Sequence, residues 1–412
     1  MQKHFKVLIL GAGSGGISVA TRLKKKFGSS ATNTVGIIEP SEFHYYQPLW
    51  TLVGAGLASK EKTKKPMKEM IPAGVSWCRE HVKSVNREAR KVICQSGAEF
   101  TYDFLVIATG LKMDWQKIQG LEGNIGSNGI CSIYRYDDAE KTSQMLESFK
   151  GGNAIFIMPP VPIKCAGAPQ KIMYLADEIF RKNGVRNQTK ITFAVAGKVI
   201  FGVPSFAKAL TEVAKKKEIN CQFSHKLVEV LANEKKAVFE KTTETQTPEG
   251  VKPSVEKVTL PYDLLHVVPP MSAHDYLKDS GLAFTEGPQA GWLKVDQLTL
   301  QHQETKNIFG IGDVTGVPNS KTGAAIRKQA PIVVQNLLDV MDGKAPSQQY
   351  DGYSSCPLIT GVGKVILAEF GYDGKLLPSF PMDMTKERKS MWILKKDLLP
   401  PMYWHGMMKG RM

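Results

Sequence analysis

Short, wholly apolar runs alternate along the chain with glycine turns and with stretches that are apolar on one side only, which is the pattern of an α/β protein. Residues 5–10 (Phe-Lys-Val-Leu-Ile-Leu) predict a strand, and an amphipathic helix running through Lys25 follows it. Residues 34–38, 102–108, 153–158, 307–312 and 364–370 predict further strands. Residues 170–181 predict a helix with Ile172, Ala176, Ile179 and Phe180 on one face. Near the end, residues 386–399 would form a helix with Met391, Leu394 and Leu398 along one face, Lys386, Lys389 and Lys396 opposite, and Trp392 at the flank, stopped by Pro400 and Pro401.

The turn between the first strand and its helix is Gly11-Ala-Gly13-Ser-Gly-Gly16. In that setting Gly11 makes the tight turn, Gly13 lets the backbone approach a pyrophosphate, and Gly16 lets helix and strand pack. The helix N-terminus offers free N–H groups and partial positive charge to the phosphate. The second strand ends in Glu39, placed to accept hydrogen bonds from a ribose hydroxyl. A merely glycine-rich turn is the plainer alternative, but the strand context and the placed acid favour dinucleotide binding.

A length of 412 residues with 42% hydrophobic content exceeds one ordinary domain and suggests two α/β domains plus an appendage. No apolar run reaches transmembrane length, and ahead of the first strand no secretory leader is expected, with a transit peptide either absent or already removed. The six cysteines (78, 94, 131, 165, 221, 356) form neither a disulfide framework nor a metal-ligand spacing, so a reducing compartment is expected, and any disulfide is expected to be chemical rather than structural. Lysine runs at 24–26 and 60–68 lack interleaved aromatics and read as solvated faces, not nucleic-acid sites. The polar stretch 241–257 reads as an exposed hairpin or loop, and His44 as a neighbour of the adenine side, not a metal ligand.

A second nucleotide turn should follow the strand at 153–158 and does not. Residues 159–169 read Pro-Pro-Val-Pro-Ile-Lys-Cys-Ala-Gly-Ala-Pro, and prolines fix φ and remove N–H donors, so this loop cannot form a phosphate-cradling turn. An NAD(P)H donor is therefore not expected here. The loop presents Cys165 instead, beside Lys164 and ahead of a helix, two features that favour a thiolate.

Residues 102–110, ending in Thr109-Gly110, and residues 307–313, ending in Gly312-Asp313, resemble the paired ATG and GD signatures of two-dinucleotide-domain flavoproteins, which implies FAD. By that resemblance Asp313 holds the ribityl chain, and the helix beginning near Thr322-Gly323, next to Lys321, points its N-terminus at the flavin. The likeness becomes more specific at KCAGAPQK around Cys165, YSSCPLITG around Cys356, FGIGDVTGVPNSKTGAA, and the tail KERKSMWILKKDLLPPMYW. Over nearly its whole length the chain resembles type II sulfide:quinone oxidoreductases.

The resemblance implies that Cys165 and Cys356 meet over one flavin face as a redox disulfide, which spacing could not show. Hydrosulfide would open the bridge, leaving the sulfane sulfur on Cys356 while Cys165 passes two electrons to FAD. Sulfite, glutathione, cyanide or a second hydrosulfide would take the sulfur, and ubiquinone or menaquinone the electrons. Cys131 falls where some relatives carry an extra cysteine and is weighed as a sulfur relay against an ordinary half-buried strand residue; Cys78, Cys94 and Cys221 read as structural.

A lipophilic quinone implies a membrane surface, bacterial cytoplasmic or mitochondrial inner. Residues 385–412 carry seven Lys/Arg against Glu387 and Asp397, a balance of +5 inside a chain of +15, which suits an interfacial helix. Packing of that helix on its own domain, or in a homodimer, is the alternative. Phe370, Phe380, Trp392 and Tyr403 are the aromatic candidates for the quinone path. The expected organisation is an FAD domain from residues 1–115 and 290–345, a degenerate second Rossmann-like domain at 116–289, and a redox-cysteine and membrane region at 346–412. An NADH:quinone reductase-like flavoprotein and a flavin-stabilised interaction protein are the rival readings.

Overall fold

The computed structural model describes residues 3–32, 34–247 and 250–412. Strand Lys3–Leu10 lies at the centre of a seven-stranded sheet, parallel to Val35–Ile38 on one side and to Glu99–Ile107 on the other. Phe5, Val7, Leu8, Ile9 and Leu10 are all buried, which explains why the run carries so few polar residues. Strand Ile308–Gly310 joins the same sheet beside Glu99–Ile107, in register Ile308↔Leu105. That pairing carries the turn at Gly312-Asp313 to the carboxyl edge of the sheet, next to Gly11, where ligands of such sheets bind.

A second sheet of five parallel strands runs Ile130–Cys131, Leu264–His266, Gly152–Met158, Thr189–Val195, Asn220–Gln222. Helix Ala168–Lys182 covers it, with Ile172, Ala176 and Phe180 buried as their spacing required. The two sheets are linked where Lys112–Met113 pairs with Met271–Ser272. The chain returns to the first domain at that point rather than at 290. Tyr276 Oη already lies 3.0 Å from Thr109 Oγ1, and the Val85 N–H donates to Ser280 Oγ at 2.8 Å. A two-residue strand and the one-turn helix Tyr276–Asp279 are too short to leave a period in the sequence.

The polar stretch at 241–257 belongs to two long strands, Lys236–Thr247 and Gly250–Pro261, of a three-stranded antiparallel sheet. Their connection at 248 and 249 lies outside the described residues.

In the C-terminal region Cys356 lies inside strand Ser354–Gly361, opposite Ala368 of Lys364–Phe370, and one expectation fails. The tail helix does not stop at Pro400-Pro401: it starts at Lys389 and runs, through wide π-type turns at Leu394–Leu398 and Met402–Gly406, to Lys409. The prolines open the turn between the two wide ones, where a missing N–H costs least. The wide turns also rotate the expected face. Met391 and Trp392 point inward, whereas Ile393, Leu398 and Met402 are exposed. The tail folds back on helix Ser14–Phe27, with Thr21 Oγ1 donating to the Met408 carbonyl at 3.1 Å and Lys25 Nζ to that of Gly410 at 2.8 Å. Among the described residues no helix is long and apolar enough to cross a membrane.

Candidate active site

One cavity of about 490 Å³ is lined by Gly13, Ser14, Gly110, Gly312, Asp313, Lys321 and Thr322 on one side and by Cys165, Lys171, Lys395 and Tyr403 on the other. The dinucleotide turn is built by contact. A Cβ on Gly16 would lie 1.8 Å from the Gly11 carbonyl oxygen, and one on Gly11, at φ +93°, would lie 2.6 Å from the oxygen of Ala108. At Gly13 a Cβ would meet nothing within 4 Å, because that position faces the cavity.

Asp313 is half-buried, and its Oδ1 is shielded from solvent with no hydrogen-bond partner. Burial raises its carboxyl above the usual range, while Lys321 and Lys164 pull the other way. An orphaned carboxylate oxygen in such a wall fits a ligand hydroxyl. Lys321 Nζ donates to the Asp313 and Thr315 carbonyls at 2.7 and 3.0 Å, lies 3.7 Å from the Trp292 ring centre, and burial lowers it to about 8. Thr322 caps helix Gly323–Met341 by accepting from the Ala325 N–H at 3.2 Å. Glu39 accepts from the N–H groups of Ala12 and Ser41 at 2.7 and 2.8 Å, holding the turn while lone pairs remain. Thr109 is not on the cavity wall; its hydroxyl meets Tyr276. With open space at Gly13, two helix N-termini and the unpaired Asp313 oxygen, the residues present fit a bound dinucleotide.

The cysteine loop is fixed through its backbone. The Cys165 N–H donates to the Lys321 carbonyl at 2.9 Å, and the Cys165 carbonyl accepts from Ala168 at 2.7 Å, with Cys165 at φ +50°. Such a conformation is costly for a residue with a side chain and persists where the surroundings impose it. Cys165 Sγ and Cys356 Sγ are 4.0 Å apart, two free thiols in contact but not bonded. This approach depends on Gly167, where a Cβ would lie 2.6 Å from Cys356 Sγ.

Lys171 Nζ donates to Cys165 Sγ at 3.3 Å. The bond from Cys356, then Lys171 and Lys395, hold the Cys165 thiol well below its ordinary value against burial; the bond to Cys165 and burial push Cys356 well above it. With Lys171 on its sulfur, Cys165 is the member of the pair on which a thiolate is favoured. Burial lowers Lys171, but the two sulfurs outweigh it and the ammonium is retained. Lys395 donates to the Pro48 carbonyl at 2.8 Å, and burial with the Lys171 charge lowers it to about 7.

Lys164 is not the partner of the thiolate. Its ammonium donates to Gln47 Oε1 at 2.7 Å, leaving that role to Lys171, one helical turn into Ala168–Lys182. Cys131 is fully buried in strand Ile130–Cys131, its thiol pushed up to about 12 by burial, and it does not line the cavity. Phe380 and Tyr403 line the cavity, whereas Phe370 packs on Phe201 at 5.9 Å and Trp392 is buried away from it. His44 is buried against the glycine turn, its Nδ1 3.0 Å from the Ala12 oxygen and its Nε2 2.5 Å from Tyr403 Oη, which is also 2.7 Å from Ser14 Oγ. Sequence reasoning missed Gly167, Lys171 and Lys395. The first two sit within KCAGAPQK, where a glycine before a helix and a lysine in its first turn were available signals.

Residues 5–157 match the pyridine nucleotide-disulphide oxidoreductase family. The mitochondrial sulfide:quinone oxidoreductase of Dictyostelium discoideum is 44% identical over 98% of this chain and 86% of its own length. The Mus musculus protein of the same name is 44% identical over 99% and 87%. The solved sulfide:quinone oxidoreductase of Aquifex aeolicus superposes with a TM-score of 0.80 at 20% identity, covering 99% of this chain and 92% of that one. Full-length identity at this level, on a chain whose two distant cysteines meet at a dinucleotide cavity, places it in the sulfide:quinone oxidoreductase family.

Proposed function

We propose that the chain is a type II, FAD-dependent sulfide:quinone oxidoreductase working at a membrane surface. The observation that carries this is the contact between Cys165 and Cys356 sulfurs, 4.0 Å apart at the wall of the dinucleotide cavity, with Lys171 on one of them. FAD, when bound, accepts an electron pair on the sulfur side and yields it to a quinone; Gly11, Gly13, Gly16, Gly110, Gly312, Asp313, Lys321 and Thr322 would hold it, with Glu39 on its ribose.

The chain's own part begins with the oxidised bridge, which needs the two sulfurs to close to about 2 Å. Hydrosulfide attacks Cys356 Sγ, the S–S bond breaks, Cys356 becomes a persulfide, and the electron pair of the broken bond stays on Cys165 as a thiolate. A thiol of low pKa is the better leaving group, so the thiolate preference of Cys165 supports that assignment. Lys171 holds the thiolate in place. The Lys171 ammonium also draws anionic acceptors (hydrosulfide, sulfite, cyanide or the glutathione thiolate) to the persulfide.

A quinone fits the apolar end of the cavity, where Phe380, Leu394, Leu399, Met402 and Met407 gather. Exposed Ile393, Leu398 and Met402, with Lys389 and Lys409 on the same tail, suit an anionic bilayer, each basic residue adding about 1 kcal/mol. Such membranes are the mitochondrial inner or bacterial cytoplasmic ones. Added sulfide should bleach the flavin absorbance and NADH should not. Bleaching that survives in both Cys165→Ser and Cys356→Ser would refute the mechanism.

A further inference from the structure

We propose that Glu369 relays the protons that quinone reduction consumes, an inference that rests on the quinone reading above. A quinone becomes a hydroquinone by taking two electrons and two protons. The electrons would come by way of the bound dinucleotide, and the protons must be delivered to the quinone inside the cavity.

Glu369 stands in the cavity wall. It lies on the cavity side of strand Lys364–Phe370 together with Leu367, and the cross-strand pairs Ser355↔Glu369 and Pro357↔Leu367 complete the face. Its side chain is buried, at 4% exposure, yet it borders a second cavity of about 160 Å³ lined by Pro378, Met382, Asp383 and Thr385. Pro378, Met382 and Asp383 are exposed, so this second space opens toward solvent, and it has room for several water molecules.

Three donors hold the carboxylate: Tyr353 Oη at 2.5 Å, Ser379 Oγ at 2.6 Å and the Ser379 N–H at 2.9 Å. The two hydroxyls matter most. Tyr353 and Ser379 both line the larger cavity, so an unbroken file of exchangeable hydroxyl and carboxyl protons runs between the two spaces. Among the described residues only one other carboxylate, Asp313, lines the larger cavity, and it sits at the dinucleotide turn. The cavity tyrosines Tyr46 and Tyr403 are held protonated by burial, and the cavity lysines are engaged elsewhere: Lys171 with sulfur, Lys164 with Gln47, Lys321 with the Asp313 and Thr315 carbonyls, and Lys395 with the Pro48 carbonyl. Glu369 therefore takes a proton from the outer cavity and gives it to the quinone side, returning to its carboxylate form for the second.

The test separates electron flow from proton flow. In Glu369→Gln, flavin bleaching by sulfide and turnover with ferricyanide, which accepts electrons without protons, should proceed at wild-type rates. Reoxidation by a short-chain ubiquinone should slow about 100-fold. In Glu369→Ala, added formate or azide should restore quinone turnover, which a purely structural role would not allow. Wild-type quinone rates in both variants, equal slowing with ferricyanide, or no rescue would each overturn the relay and leave the sulfide chemistry standing. Failure of the unaltered protein to reduce any quinone would instead defeat the functional reading, and the relay with it.

Discussion

Replacing Lys171 by methionine removes the ammonium 3.3 Å from Cys165 Sγ while keeping much of the side chain's volume. Two unit charges at that distance attract by about 5 kcal/mol at an effective dielectric near 20, before desolvation. The net worth of a hydrogen bond to a charged group is smaller, about 1.5–3 kcal/mol. The Cys165 thiol should therefore rise by about 1–2 pK units. The sign follows from which form the ammonium favours: it stabilises the thiolate, so its loss moves the proton back to sulfur. Cys356 still donates, so the thiol stays lower than an ordinary one. A poorer leaving group slows opening of the bridge, and a Brønsted slope near 0.5 turns the shift into sulfide bleaching about 3- to 10-fold slower. Ultraviolet thiolate absorbance of the reduced enzyme against pH, with Cys165→Ser as the blank, reads the first quantity, and stopped-flow bleaching the second. An unchanged midpoint in Lys171→Met, or a shift produced by Lys164→Met instead, would refute the assignment.

Gly167→Ala places a Cβ 2.6 Å from Cys356 Sγ and 2.4 Å from Leu358 Cδ2. Overpacking of this kind costs about 1–3 kcal/mol, and the sulfurs should separate, so a lower melting temperature and bleaching slowed by about tenfold or more are expected; bleaching at the wild-type rate would show that the contact is dispensable. Lys395, lowered from 10.5 to about 7, is charged in the unfolded chain and neutral in the folded one between those values. The unfolded state then binds the extra proton, so stability rises with pH across that window, and the full cost of the buried charge is present below 7. Lys395→Met should gain on the wild type at acid pH and lose that gain as pH approaches 10.5, as thermal melts would record; a pH-independent difference would count against it.

The dinucleotide half was legible because its demands are local. Gly16 answers to a contact within one turn, Gly13 to open space for a ligand, and Gly11 to the neighbouring strand end at Ala108, all in a motif of six residues, and the strand at 307–312 leads straight into the acid its sheet edge requires. The cysteine site was legible only through likeness, since the two sulfurs come from different elements 191 residues apart. Lysines misled for the same reason. Lys164 is adjacent in sequence but its side chain leaves toward Gln47, while Lys171 sits on the helix face that looks back at the loop. In the tail, ordinary helical pitch puts Met391 and Leu398 on one face, whereas the wide turn at Leu394–Leu398 separates them, Met391 buried and Leu398 exposed. Trp392 and Phe370 were offered as quinone contacts on their chemistry alone; nothing in a sequence says which way a buried ring faces.

The hairpin Ser354–Gly361 and Lys364–Phe370 shows why the two half-reactions need not interfere. Side chains alternate across a strand, so Cys356 faces Gly167 and Cys165, while its neighbours Ser355 and Pro357, with Leu367 and Glu369 opposite, line the cavity. One pleat thus separates the Cys356 sulfur from the face on which a quinone would rest. A shift of register by one residue would exchange the two faces, placing a carboxylate against the thiolate and a thiol against the quinone. The hairpin is held against that slip from the side: Glu178 accepts from the Val362 N–H at 2.7 Å, and Lys217 in turn lies 3.4 Å from Glu178. The ion-paired cluster around Asp177 and Glu178, remote from the reacting atoms, thus braces the turn of the hairpin.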